Sequence, residues 1–228
     1  MPPPTLEEVK TQLKASENMT YRQQTQINAW VDLQAGTTAN RIMLAAHFAS
    51  AWHAGQKRKH KDVPYTEHLL RVAGRVMLRA DATEDMVCAA FLHDAIEDQA
   101  TSPEREAIIQ EGLTRLGGTV PELVHGLTNS KIPGPRAHRK KMDRARLATQ
   151  SREVKLIKLI DRIDNLTESL DDCRLGLDKN WAFNSLYADE SAALLEVLKG
   201  VDSSLELELV FRAGALKALC VANLSAET

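Results

Sequence analysis

The residues of this chain that are best suited to chemistry are concentrated in residues 91–98. Within this run an adjacent pair, His93-Asp94, is followed after two apolar residues by a second pair, Glu97-Asp98. We predict one continuous helix here, on which residues four apart lie on the same side, so that each member of the first pair stacks on one of the second. Imidazole and carboxylate groups in one place suit a divalent metal such as Mn, Fe or Zn. Taken alone, an adjacent His-Asp pair is more often a solvated helix end, so a metal site is predicted only if other parts of the chain supply further ligands.

A second patterned segment covers residues 154–170. Apolar residues at positions 156, 159, 160, 163 and 166 form the stripe of a buried helix face, and Asp161 lies within that stripe. A carboxylate in such a stripe is either a salt-bridged core residue or a metal ligand, and the segment by itself leaves both open. Asn165 follows one helical turn later on the same face.

Helices are the elements that must position these groups. Residues 39–52 carry apolar side chains at helical spacing, and a basic loop at residues 57–61 leads to a helix that begins near Pro64 and carries His68. Capping residues, glycines and prolines delimit further helices at residues 103–116, from about 119, at 154–170, at 180–200 and at 203–221, with a loop over residues 130–136. No alternating strand pattern extends over more than a few residues.

The sequence therefore predicts an all-α fold with two parts. One helical-bundle domain covers residues 39–228, and an N-terminal helical arm covers residues 1–38. A capping-box signature at Thr5 and Glu8 predicts a first short helix in the arm, and residues 20–35 form a second, weakly amphipathic stretch.

Composition excludes several classes of protein. A formal net charge of -2 excludes a generally basic nucleic-acid binder. The start of the sequence lacks a basic segment followed by an apolar one, so we expect no secretory leader, and we also expect no apolar run near the length of a membrane span. Its three cysteines, Cys88, Cys173 and Cys220, are scattered without a CxxC pair, which favours a reducing compartment over a disulfide framework. We expect a cytoplasmic protein that binds neither membrane nor nucleic acid.

Two histidines and two aspartates from three predicted helices (His68, His93, Asp94 and Asp161) make a plausible metal-binding set, and the runs around them resemble a known family. The set is similar to that of the HD-domain metal-dependent phosphohydrolases. Gln56 with residues 64–68, residues 91–98 and residues 157–166 together resemble the hydrolase half of the RelA/SpoT family. They resemble even more the stand-alone small alarmone hydrolases, in the same motif order over roughly residues 40–200.

The resemblance implies an all-helical domain that binds Mn²⁺ and removes the 3′-pyrophosphate from (p)ppGpp. The implied metal ligands are His68, His93, Asp94 and Asp161. The implied water-handling pair is Glu97 and Asp98, and the implied substrate contacts are Arg58, Lys59 and Asn165. Lys140, Lys141 and Arg144, in a basic helix start, are further candidates for binding phosphate.

The exact substrate is left open. Glu168 stands where a small hydroxyl residue near the base is common in the family, so an adenosine analogue such as (p)ppApp is a credible alternative, as is the 2′-phosphate of NADPH. The motifs also leave room for a general HD phosphohydrolase acting on nucleoside monophosphates and for a nucleotide-binding sensor without catalysis. The expected partner is a small nucleotide, and a homo-oligomer is left open.

Overall fold

The structure, a computed structural model, describes residues 38–226, with side chains from residue 41. Within that range every regular element is a helix, and the only β-type pairing is an isolated antiparallel bridge between Lys57 and Pro64. The predicted all-α fold is confirmed. The predicted N-terminal arm lies, except for its last residue, outside the described residues.

The described residues form two compact units, one up to Thr128 and one from Asn129. The first unit contains α1 (Thr38–Trp52), α2 (Thr66–Met77), α3 (Glu84–Leu92), α4 (Ala95–Gln99), α5 (Pro103–Leu116) and α6 (Val120–Leu127). The second contains α7 (Arg136–Ala148), α8 (Arg152–Arg174), α9 (Trp181–Ala193), α10 (Leu195–Leu198) and α11 (Ser203–Ala226). A single domain over residues 39–228 stays a prediction.

Helix α3 is the centre of the first unit. Every residue from Met86 to Leu92 is buried, and α1, α2 and α6 all pack against it. A short helix that is apolar on all sides must be surrounded in this way. Thr83 caps its start by accepting a hydrogen bond from the backbone N–H of Met86 (3.2 Å). Since α3 ends at Leu92, the next residue, His93, is the first ionisable side chain after this buried apolar run.

Helices α1 and α5 approach each other closely at Gly112. A Cβ atom at this position would lie 2.7 Å from Cζ2 of Trp52 on α1, which is closer than packed carbon atoms allow. Trp52 in turn stacks on Phe48, with ring centroids 5.0 Å apart. The start of α5 follows the predicted signals, with Ser102 as N-cap and Pro103 in the first turn.

In the second unit, α8 packs against α11, and α9 packs against both. The apolar stripe predicted on α8 is confirmed, since its five members, Leu156, Leu159, Ile160, Ile163 and Leu166, are fully buried. The predicted loop over residues 130–136 ends where α7 begins. The helix predicted over residues 180–200 is interrupted after Ala193 and continues as the short α10.

Helix α11 is long and apolar enough to cross a membrane by length and composition alone. This corrects the expectation that no apolar run approaches the length of a membrane span. Core helices pass the same test, and one face of α11 is buried against α8 and α9 through Leu205, Leu209, Ala213, Leu216 and Cys220. The opposite face exposes Leu207 and Phe211. Length and composition therefore do not by themselves assign α11 to a membrane.

Candidate metal centre and active site

His93 and Asp94 lie in a turn between α3 and α4. The continuous helix predicted through residues 91–98 is therefore wrong at this point. The side chain of His93 explains the interruption, because its Nδ1 bonds the carbonyl oxygen of Ala90 (2.8 Å). That carbonyl is the one that the backbone N–H of Asp94 would bond in an uninterrupted helix. The same contact assigns the ring proton to Nδ1 and leaves the lone pair of Nε2 for a metal.

Three ligand atoms of the predicted set converge inside the first unit. The Nε2 atoms of His68 and His93 lie 3.3 Å apart, and Oδ2 of Asp94 lies 3.0 Å from Nε2 of His93 and 3.7 Å from Nε2 of His68. Both imidazoles are fully buried. Ligand atoms in neighbouring positions around a metal at about 2.1 Å are roughly 3.0–3.5 Å apart. The spacing, the nitrogen and oxygen donors and the burial therefore fit a divalent metal.

Tyr65, just before α2, aligns the Asp94 carboxylate. Its hydroxyl donates to Oδ2 of Asp94 (2.5 Å), and its ring stacks on His53 and meets His68 edge-on. Burial, together with the charges of Asp94 and Asp98, raises the pKa of Tyr65 well above its usual value. The phenol therefore keeps its proton and always acts as a donor to Asp94.

Glu97 and Asp98, the pair assigned to the attacking water, lie on α4 and are half-buried. Oδ2 of Asp98 accepts a hydrogen bond from Nε2 of Gln56 (2.8 Å). Burial raises the pKa of Asp98, the charge of Asp94 raises it further, and the hydrogen bond from Gln56 acts in the opposite direction. A raised carboxyl pKa is suited to taking and returning a proton near neutral pH.

The basic loop brings Arg58 next to this cluster. The guanidinium of Arg58 lies over the ring of Tyr65, 5.0 Å from its centroid, and Lys59 is exposed. The Arg58 N–H donates to the carbonyl of Val63 (2.9 Å), which closes the loop on itself. Arg58 therefore adds positive charge beside the ring whose hydroxyl bonds Asp94, as a phosphate-binding residue would.

Asp161 and Asn165 come together in the second unit, on α8. Nδ2 of Asn165 donates to Oδ1 of Asp161 (2.6 Å), and Nζ of Lys158 lies 3.0 Å from Oδ2. Asp161 and Lys158 are both buried. Both carboxylate oxygens thus have a donor within this unit, and Asp161 pairs with Lys158. The pattern of the sequence did not indicate a role for Lys158.

Lys140 and Arg144 lie on α7 in the same unit. Lys140 Nζ is 3.9 Å from Asp143 Oδ2, and Arg144 Nε is 3.9 Å from Glu196 Oε2. Burial lowers the pKa of Lys140, and the nearby charge of Arg162 lowers it further. The charged form of Lys140 is therefore disfavoured, and a bound anion would stabilise it. Lys141 is exposed.

Besides Lys158, sequence reasoning passed over three residues that lie next to the predicted site residues. Tyr65 and Gln56 belong to the patterned runs but have no role that their residue types reveal, and Arg162 follows Asp161 directly. Arg162 is half-buried, with its guanidinium over the ring of Tyr187, 4.9 Å from the centroid. An arginine directly beside the apolar stripe of this helix was the available signal, because arginine next to a core ordinarily has a partner.

Comparison with known proteins matches a family model described as an HD domain to residues 45–180. The guanosine-3′,5′-bis(diphosphate) 3′-pyrophosphohydrolase MESH1 of Homo sapiens is 30% identical over 175 residues, which cover 75% of this chain and 92% of that protein. The guanosine-3′,5′-bis(diphosphate) 3′-pyrophosphohydrolase of Aquifex aeolicus is 36% identical over 130 residues, 56% of this chain and 18% of that protein.

A solved structure is also similar. It is described as "A metazoan ortholog of SpoT hydrolyzes ppGpp and plays a role in starvation responses", and it superimposes with a TM-score of 0.61 at 28% sequence identity. The match covers 78% of this chain and 96% of that chain. The helical architecture is therefore shared with that structure.

Proposed function

The chain belongs to the HD-domain family, as a homologue of the small stand-alone guanosine-3′,5′-bis(diphosphate) 3′-pyrophosphohydrolases, and from this we propose that it hydrolyses (p)ppGpp or a related alarmone such as (p)ppApp with Mn²⁺. The reaction adds water across the 3′-ester bond and releases pyrophosphate and a 5′-phosphorylated nucleoside. The observation that carries the proposal is the buried convergence of the His68, His93 and Asp94 ligand atoms.

The four proposed metal ligands are supported by two kinds of evidence. His68, His93 and Asp94 are supported by geometry, and the family resemblance adds Asp161 as the fourth ligand. A bound divalent ion would lower the pKa of water and neutralise charge on the phosphoryl oxygens. The hydrogen bond from His93 Nδ1 to the Ala90 carbonyl holds the imidazole in the tautomer that such a site needs.

The remaining steps fall to side chains that handle protons and phosphate charge. Glu97 and Asp98 take the proton of the attacking water, and the raised pKa of Asp98 suits that task. Arg58 offsets phosphate charge beside Tyr65. Lys59, Lys140, Arg144 and Asn165 are further substrate contacts that the proposal includes. The three buried thiols agree with a cytoplasmic location, which we also propose.

The test is release of pyrophosphate from ppGpp and ppApp, with and without Mn²⁺, by the wild type and by Asp94→Ala. We expect metal-dependent release that is lost in Asp94→Ala, and the ratio of the two wild-type rates gives the base preference. Asp62→Ala is the matched control, because Asp62 is a highly exposed aspartate of the same unit that pairs with Lys57. It should keep wild-type turnover.

Two further variants separate metal binding from proton transfer. Asp161→Ala should lose Mn²⁺ and activity together, whereas Glu97→Gln should retain Mn²⁺ and lose turnover. Failure to release pyrophosphate from either alarmone, with Mn²⁺ bound, would refute the proposal. The 2′-phosphate of NADPH and the nucleoside monophosphates would then be the substrates to assay.

A further inference from the structure

The backbone of Gln56 is fixed by hydrogen bonds that do not involve its side chain. It follows α1 in the turn that leads to the basic loop, where its N–H donates to the carbonyl of His53 (2.9 Å). Its own carbonyl accepts from the N–H of Tyr65 (2.9 Å). The residue is therefore fixed between the end of α1 and the segment that carries Tyr65.

The side-chain amide of Gln56 can adopt only one orientation. Its Oε1 accepts from Nδ1 of His53 (2.7 Å) and from Nε2 of Gln99 (2.5 Å), and its Nε2 donates to Oδ2 of Asp98 (2.8 Å). A flipped amide would place its NH₂ group against a donor of Gln99 and its oxygen against a carboxylate. The orientation that presents an N–H to Asp98 is thus determined by the neighbours of Gln56.

His53 is a permanent donor in this arrangement. Its ring is buried, and burial lowers its pKa to about 4, so it is neutral at physiological pH with a single N–H. That N–H is on Nδ1, because Nδ1 faces the Gln56 oxygen, while Nε2 has no hydrogen-bond partner among the described residues. In this tautomer the ring donates to the Gln56 oxygen, in agreement with the orientation that Gln99 and Asp98 require.

Gln99 is anchored in turn by Arg105 of α5. The Arg105 guanidinium donates to Oε1 of Gln99 (3.2 Å), to the Gln99 carbonyl (3.0 Å) and to the carbonyl of Trp52 (2.8 Å). These hydrogen bonds of Arg105 join α1, α4 and α5 around the side-chain amide of Gln99. Arg105 therefore holds Gln99 in the orientation that presents its Nε2 to Gln56.

We propose that Gln56 is a positioning residue that holds the Asp98 carboxylate for its reaction with water, with His53 and Gln99 fixing the amide. This role rests on the proposed hydrolase function. Gln56 contacts neither of the histidines that form the candidate metal centre, so it acts through Asp98. A carboxylate held by one directed donor keeps a single orientation, and a fixed base reacts faster than a mobile one.

The first experiment compares Gln56→Glu and Gln56→Met with the wild type. Gln56→Glu retains an oxygen that accepts from His53 and Gln99, but it places a second carboxylate next to that of Asp98. Gln56→Met keeps the size of the side chain without its polar groups. Both should lower kcat by ~10- to 100-fold, the effect of losing a hydrogen bond to a charged group. The KM for the alarmone and the Kd for Mn²⁺ should stay within about threefold, because the side-chain hydrogen bonds of Gln56 go to His53, Gln99 and Asp98 and not to the proposed metal ligands.

Gln110→Met is the matched control. Gln110 is a glutamine of α5 in the same unit, and its side-chain oxygen contacts His125, away from Asp98. It should leave kcat unchanged. A general loss of folding would lower metal binding and kcat together in the Gln56 variants, whereas a positioning role predicts a selective loss of kcat.

A double-mutant cycle with Asp98→Ala decides whether Gln56 acts through Asp98. In the Asp98→Ala background, Gln56→Met should reduce kcat by less than about twofold further, because its target is gone. An equal reduction in both backgrounds would overturn the proposal. The same four proteins are compared by Tm, where the loss in the double variant should be smaller than the sum of the single losses.

The Tm cycle separates the two proposals. A wild type that releases no pyrophosphate refutes the hydrolase function, while the Tm values still report whether Gln56 holds Asp98. Additive losses of Tm would show that the contact carries no coupling, and the positioning role would then be refuted whatever the substrate is.

Discussion

Replacing Tyr65 with phenylalanine removes one hydroxyl from the candidate metal centre and leaves the rest of the ring. That hydroxyl donates to Oδ2 of Asp94, the same oxygen that lies 3.0 Å from Nε2 of His93. The ring can still stack on His53, with centroids 4.9 Å apart. Tyr65→Phe thus isolates the contribution of a single donor to the orientation of a ligand oxygen.

The expected magnitude follows from the type of hydrogen bond. A hydrogen bond to a charged group contributes about 1.5–3 kcal/mol, and each 1.4 kcal/mol changes an equilibrium constant about tenfold. Partners that orient a metal ligand generally affect metal affinity by about 10- to 100-fold. We therefore expect the Kd of Mn²⁺ to rise by ~10- to 100-fold in Tyr65→Phe, with a smaller effect on Tm.

Isothermal titration calorimetry with Mn²⁺ measures this Kd directly, without any substrate. Arg58→Leu serves as the comparison, because it removes the guanidinium 5.0 Å from the same ring and leaves the hydroxyl in place. Its Kd for Mn²⁺ should equal that of the wild type, while its KM for the alarmone rises. A Kd in Tyr65→Phe within threefold of wild type would refute the idea that this hydroxyl aligns Asp94.

Three further predictions concern stability. Gly112→Ala should lower the free energy of unfolding by ~1–3 kcal/mol in urea denaturation, since the new Cβ would lie 2.7 Å from Trp52. Lowering the pH from 6.5 to 4 should reduce the free energy of unfolding by ~1–3 kcal/mol. The reason is that His53 gains a proton near pH 6.5 in the unfolded chain but only near pH 4 in the folded protein, where its ring is buried. His53→Gln should reduce this dependence of stability on pH. In α11, Leu209→Ala should cost ~2–5 kcal/mol and Phe211→Ser less than ~0.5 kcal/mol, as the first side chain is 0% and the second 70% exposed; equal costs would contradict the packing of this helix.

Helical periodicity predicted most of the fold because most helices here have one apolar face and clear end signals. The stripe on α8 and the capped start of α5 at Ser102 show this, since both depend on residues a few positions apart. The interruption at His93 was not predictable in the same way. It depends on a side chain that competes for a backbone carbonyl, and the pattern of apolar residues does not indicate that competition.

The candidate site shows the same division between local and distant information. His68, His93 and Asp94 were predicted because ligand chemistry is visible in the residue types themselves. The roles of Tyr65 and Gln56 were missed, because each depends on a contact with a residue 29 or 42 positions away. Lys158 was missed although it precedes Asp161 by three residues, since a lysine on an amphipathic helix is ordinarily solvated.

The burial of all three cysteines makes this protein well suited to site-specific chemical labelling. Cys88, Cys173 and Cys220 are buried, and burial raises the pKa of each thiol, to about 12 for Cys173. Maleimides and related reagents react with the thiolate, so these thiols should react slowly in the folded protein. A cysteine introduced at Ala54, an exposed residue just before the basic loop, would then be the preferred site for a fluorophore that reports on nucleotide binding.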